Sequence, residues 1–179
     1  PLARMKQAVD DAIEKAKQDG AFHLGNALDF LKKPPYGLYA NYIYFASMGF
    51  IMGRYIGKLF ESGTGRAISK EMMREKILSL FKYWQDGKKD EEKLYVRYGT
   101  LEEKYLNDLL KELFGFTEVD GLTNVRWAIR NTIKKMGQPL WVFSNPRVKN
   151  AIDEIVWLTI SVDRSITQDD VKRILEILK

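Results

Sequence analysis

Arg126, Arg130 and Lys134 stand four residues apart, so on a helix they line up as a stripe of guanidinium and ammonium groups. Lys70, Arg74 and Lys82 lie on a second helical stretch, and Lys88 and Lys89 follow in a polar turn. Cations at helical spacing are the surface that meets nucleic-acid phosphates. A helix, a basic turn and a β-ribbon are the parts of a winged-helix DNA binder. Against that reading, a helix falls between the two expected strands where a wing hairpin should be. Glu71, Glu75, Glu91 and Glu92 also dilute the field. The competing reading is a solubilising surface with intrachain ion pairs. Trp127, on the charged side of its helix, and Trp141 in a turn read either as docking anchors or as a seam closing the C-terminal helices. The seam is favoured.

Other chemistries fail residue by residue. The chain has one His and no Cys, so a zinc site would have to rest on carboxylates. His23 reads as the residue that starts a helix. The acidic pairs Asp10-Asp11, Glu91-Glu92, Glu102-Glu103, Asp153-Glu154 and Asp169-Asp170 lack the spacing of a calcium loop. Helix neighbours do not face each other, so the pairs read as solvated faces. No G-x-S-x-G occurs. "GRYIGK" (53–58) has three residues between its glycines, where a phosphate loop has four, and Leu59 replaces the required Ser or Thr. "ESGTGR" (61–66) reads as a turn. No catalytic set, no cofactor and no metal is expected, and the chain is read as non-enzymatic.

The elements that would carry these residues follow from composition and period. Hydrophobic content is 45% and charged content 30% over 179 residues, with a net charge of +5 and a pI near 9.2. These values suit a globular chain with a mild basic lean. The charged, amphipathic start has none of the character of a signal peptide. Its lack of an initiator Met suggests a piece of a longer protein, and the lack of Cys fits a cytoplasmic setting.

The longest uncharged run is "PPYGLYANYIYFASMGFIMG" (34–53). A membrane span needs about 20 apolar residues across about 30 Å. Pro34-Pro35 confine a helix here to Leu38–Gly53, about 24 Å. The run also contains four Tyr, Asn41 and Ser47. The expectation is therefore no membrane span but a helix buried in the core, apolar nearly all round. Ala46, Gly49, Gly53 and Gly57 form one ridge of small residues on it. Each helical Gly costs about 1 kcal/mol relative to Ala. Close approach of another helix would offset that cost, so Gly53→Leu is expected to lower the melting temperature. The sharper alternative places a ligand on the ridge.

Leu2, Met5, Val9, Ile13 and Ala16 predict an amphipathic first helix, and Leu24, Ala27, Leu28 and Leu31 a second. Ser69 is positioned to cap a helix with Met72, Met73, Ile77, Leu80, Phe81 and Trp84 on its apolar face. "LYVRYG" (94–99) reads as a strand, with "GRAIS" (65–69) as its partner. Thr-Leu-Glu-Glu at Thr100 is a capping box. Further helices are expected over 122–136, 146–159 and from Thr167 onward. The fold class is thus mainly α, a multi-helix bundle with at most a small two-stranded ribbon. Residues 1–120 form one domain and 121–179 a C-terminal helical sub-domain, joined near "GFTEVDG" (115–121).

Two stretches, "LKKPPYGLYANYIYFASMGFIMGRY" and "IRNTIKKMGQPLWVFSN", resemble a Pro-Pro-Tyr/Phe-Gly-Leu helix and a later helix with Gly-x-Pro-Leu-Trp. Both patterns belong to large multidomain bacterial ATP-binding proteins, the phage-exclusion (BREX-type) ATPases among them. Together they cover under a third of the chain. The resemblance implies a helical accessory segment whose phosphate loop lies in another region, and it transfers no catalytic residue. The expected partners are the rest of a parent chain or another protein, with DNA as the second reading.

Overall fold

The computed structural model describes residues 2–87, 91–136, 146–160 and 166–178. In chain order the elements are α1 (Leu2–Ala16), β1 (Ala21–His23), α2 (Leu24–Ala27), α3 (Tyr42–Met52), β2 (Leu59–Glu61) and α4 (Lys70–Asp86). β3 (Tyr95–Tyr98), α5 (Leu101–Phe114), α6 (Leu122–Met136), α7 (Pro146–Ile160) and α8 (Gln168–Leu178) follow. The fold is mainly α with a small antiparallel sheet. The chain divides into two compact units, Pro1–Gly63 with Ala67–Gly99, and Thr64–Arg66 with Thr100–Lys179. The division falls at Gly99/Thr100 rather than at the expected 120/121, because α5 contributes Leu106 and Leu110 to the same apolar cluster as α6, α7 and α8.

In the first unit the strands lie in the order β1-β3-β2, both pairs antiparallel, with Phe22 opposite Val96 and Phe60 opposite Arg97. The sheet has three strands instead of the expected two. Residues 65–69 do not pair with β3. Ala67 makes an isolated bridge to Phe60, and the Ile68 amide donates to the Leu59 carbonyl at 2.9 Å. The core gathers Met5, Val9 and Ile13 of α1 with Leu28, Ile51 and Ile77. The Ser69 hydroxyl accepts the Met72 amide at 3.3 Å and starts α4. Among the buried groups, the Lys76 ammonium donates to the Lys93 carbonyl at 2.7 Å and lies 3.5 Å from Glu61. It ties α4 to the segment before β3.

The second unit is a helix bundle. The Thr100 hydroxyl accepts the Glu103 amide at 3.2 Å, as the capping box requires. Thr167 and Asp170 cap α8 reciprocally: the Thr167 amide donates to the carboxylate at 3.0 Å and the Asp170 amide to the hydroxyl at 3.2 Å. Asp120 is the hub of the α5–α6 connection. Its carboxylate accepts from the Gly121 amide at 2.9 Å, Asn107 at 3.2 Å and Arg66 at 3.0 Å, with Lys111 at 3.4 Å. Gly121 has φ +88°, and a Cβ there would lie 2.5 Å from the Thr64 carbonyl oxygen, so only Gly fits.

Candidate interaction surface

The uncharged run folds into a helix shorter than expected. Asn41 caps it, its side-chain oxygen accepting the Tyr44 amide at 2.8 Å, and the helix ends at Met52. The Ser47 hydroxyl donates to the Ile43 carbonyl at 2.8 Å. Asn41 and Ser47 thus spend hydrogen-bonding capacity within the helix. Met48, Ile51 and Met52 are buried. The opposite side is bare: Tyr39 is 63% exposed, Tyr42 93%, Ile43 75% and Phe50 71%. The expectation of a helix buried all round is therefore wrong on one side.

Helical geometry organises that bare side into two ridges. Tyr42, Ala46, Gly49 and Gly53 form one, and Ile43, Ser47 and Phe50 the other. Ala46 is exposed, and a Cβ built at Gly49 or Gly53 would meet nothing within 4 Å. Gly57 lies beyond the helix at φ +73°, where the chain turns into β2. The small-residue ridge expected to hold two helices of this chain together has no helix packed on it: Ala46 is exposed, Gly49 and Gly53 are half-buried with open space at the Cβ position, and Gly57 is no part of it.

The buried side fixes the bare side in place. At the C-terminal end Arg54 pairs with Asp10 of α1 and donates to the Lys6 carbonyl at 3.1 Å. The buried Tyr55 hydroxyl also donates to Asp10. Burial, reinforced by that carboxylate, raises the Tyr55 phenol above its ordinary range. Beside the N-terminal half, a groove of about 270 Å³ runs between Leu2 and Met5 of α1, Pro35 and Leu38, and Tyr44 and Ser47. Arg4 and Lys6 on α1 are exposed, as are Lys58 and Lys33, the last 3.6 Å from the Asp29 carboxylate.

The cationic stripe does not form as the spacing suggests. Arg126 is 3% exposed, and its guanidinium donates to the Leu158 carbonyl of α7 at 2.9 Å. It braces the bundle and faces no phosphate. Arg130 lies over the Trp127 ring at 5.1 Å from the centroid, half-buried, and Lys134 is exposed. Trp127 is 42% exposed. Lys70 and Arg74 are exposed on α4 of the other unit, interleaved with Glu71 and Glu75. Lys88, Lys89 and Trp141 lie outside the described residues.

His23 caps α2, its Nδ1 accepting the Asn26 amide at 3.2 Å between the rings of Tyr83 and Tyr95. Burial lowers its pKa, against a smaller opposing effect of Glu91. Among the described residues no three His, Asp or Glu side chains converge as metal ligands would. No described helix is long and apolar enough to cross a membrane. No protein family model, curated protein or solved structure matches the chain.

Proposed function

We propose that this chain is a non-catalytic helical interaction domain, part of a larger cytoplasmic bacterial ATP-binding protein, that docks through the bare side of α3. The exposed apolar and aromatic face of Tyr42, Ile43, Ala46 and Phe50 carries this reading. Scattered exposed apolar residues are ordinary, but a contiguous uncharged helix face marks a binding surface. The face lies within the first of the two stretches that resemble phage-exclusion ATPases. A docking contact there would let a partner's binding state reach the parent protein through α1, which Arg54 and Tyr55 tie to the end of α3.

The test is a photo-crosslinking amino acid at Ile43 of the parent protein in living cells, with the same group at exposed Leu78 on α4 as control. The reading predicts a discrete protein adduct from position 43 and none from 78. Equal labelling, or no adduct at either position, would contradict it.

One observation favours a second reading, DNA binding. The order α1-β1-α2-α3-β2-α4-β3 with sheet order β1-β3-β2 shares the connectivity of a winged helix, with α4 inserted before the last strand. On that plan α3 would be the groove-reading helix. A helix in a DNA groove meets phosphates and base edges with cations and polar groups, whereas α3 exposes Tyr42, Ile43 and Phe50. DNA binding therefore ranks second. It predicts duplex affinity that falls steeply with salt.

A further inference from the structure

The single histidine of the chain is buried where β1 runs into α2, with 5% of its surface exposed. We propose that His23 is an acid-sensitive latch, whose protonation releases the start of α2 from α4. All the groups that decide this lie in the first unit.

The Nδ1 lone pair accepts the Asn26 amide at 3.2 Å, so the neutral ring carries its proton on Nε2. Nε2 is itself buried and makes no hydrogen bond with the described residues. A second proton has to go to Nδ1, where it meets the Asn26 N–H donor against donor, and the cap of α2 is lost. It also leaves a charge in a site that gives it no hydrogen-bonded partner. The ring has no room to turn away. It packs edge to face with Tyr83 of α4 at 4.8 Å and with Tyr95 of β3 at 5.0 Å between centroids. Gly25 closes a further side, since a Cβ there would fall 2.6 Å from the Tyr83 ring and 2.7 Å from Cε1 of His23.

The residues that meet the imidazole also hold α2 to α4. The Tyr83 hydroxyl donates to the Asn26 side-chain oxygen at 3.0 Å, and the Trp84 indole donates to the Gly25 carbonyl at 3.2 Å. Asn26 thus joins His23 through its amide and α4 through its side chain, so opening the cap pulls on both contacts. Among the described residues the titratable groups facing the ring are Tyr83 from α4, Tyr95 from β3 and Glu91 from the segment before β3. α1, which also packs on α2, adds no charge. Burial holds the imidazole pKa below its ordinary value, and the Glu91 carboxylate and main chain, which favour the charged ring, do not offset it. The opened segment therefore binds the proton more tightly than the closed one. The latch is shut above the ordinary imidazole pKa of about 6.5 and opens as pH falls through the depressed one.

The experiment is an NMR titration of the intact, ¹⁵N-labelled chain from about pH 8 to about pH 4.5. With a single His, the imidazole signals belong to one residue. The expected result is the Nε2–H tautomer at neutral pH and a titration midpoint below 6.5. At that midpoint the Asn26 amide and the Trp84 indole N–H should exchange with solvent at least about tenfold faster, after correction for the intrinsic pH dependence. The amides of α6, in the other unit, should keep their protection. His23→Asn supplies a capping oxygen that does not titrate in this range, and should abolish the transition. An Nδ1–H tautomer at neutral pH overturns the proposal, as does a midpoint at or above the ordinary imidazole value. Unchanged protection of Asn26 and Trp84 across the imidazole titration overturns it too, and so does a transition that survives in His23→Asn. Should that variant not fold, the titration of the natural chain decides by itself.

Discussion

Replacing Gly49 by Ala should raise the folding stability of the chain. Gly49 lies inside α3, three positions before its last residue, Met52, and its carbonyl accepts the Gly53 amide. A Cβ there would touch nothing within 4 Å. The methyl therefore adds no clash in the single chain and removes the unfolded-state freedom peculiar to Gly. The stabilisation is about 0.5–1 kcal/mol, or a rise of about 1–4 °C in melting temperature for a chain of this size. Thermal melts followed by circular dichroism read the effect. A lowered melting temperature for the isolated chain would refute the reasoning, because it would mean that something already packs against Gly49.

Three further outcomes follow from the same geometry. Tyr55→Phe should cost about 1 kcal/mol at pH 7. The phenol pKa is raised in the fold, so the stability it contributes is full below pH 10 and drains away above it. The gap between wild type and variant in urea titrations should therefore narrow as pH rises beyond 10. Asp120→Asn should destabilise the second unit by about 1 kcal/mol at pH 7, a figure discounted because the side chain is 38% exposed. Burial pulls the Asp120 carboxyl pKa up, but Gly121, Asn107 and Lys111 outweigh it and hold it low. That stability is present above the ordinary carboxylate pKa and is lost as pH falls through the depressed one, so the penalty should fade below about pH 4. Gly99→Ala should cost about 1–3 kcal/mol in denaturant titrations, because its Cβ would fall 2.1 Å from the buried Phe60 ring.

The helix-bundle character, the caps at Ser69 and Thr100, the bounds of α6 and the strand at β3 are all legible in the chain, because each rests on local chemistry. The partners of β3 are not. β1 and β2 are three residues each, too short for an alternating pattern to emerge. Gly57 extends a helical ridge on paper, yet its left-handed backbone turns the chain into β2. The burial of Arg126 has a signal in the sequence: Leu122, Arg126, Ile129 and Ile133 share one ridge of α6. Steps of four residues drift about 40° around a helix. A stripe begun at Arg126 therefore starts in the core and reaches solvent by Lys134. The α3 face is the least legible feature. A helix apolar on every side carries no periodic mark of which side the fold buries, and only the packing of Met48, Ile51 and Met52 decides it.

The 179 residues contain no Cys, so a single introduced thiol reports on one position of this chain. Phe50→Cys probes the bare face of α3, and Leu78→Cys on α4 provides the exposed control. Thiol labelling of the parent protein in cells and of the purified chain, read by mass spectrometry of the modified peptide, compares the two. The account predicts that position 50 is protected in cells and reactive in the purified chain, while position 78 reacts equally in both. Equal reactivity of position 50 in the two settings would contradict the claim that the bare face of α3 is a docking surface.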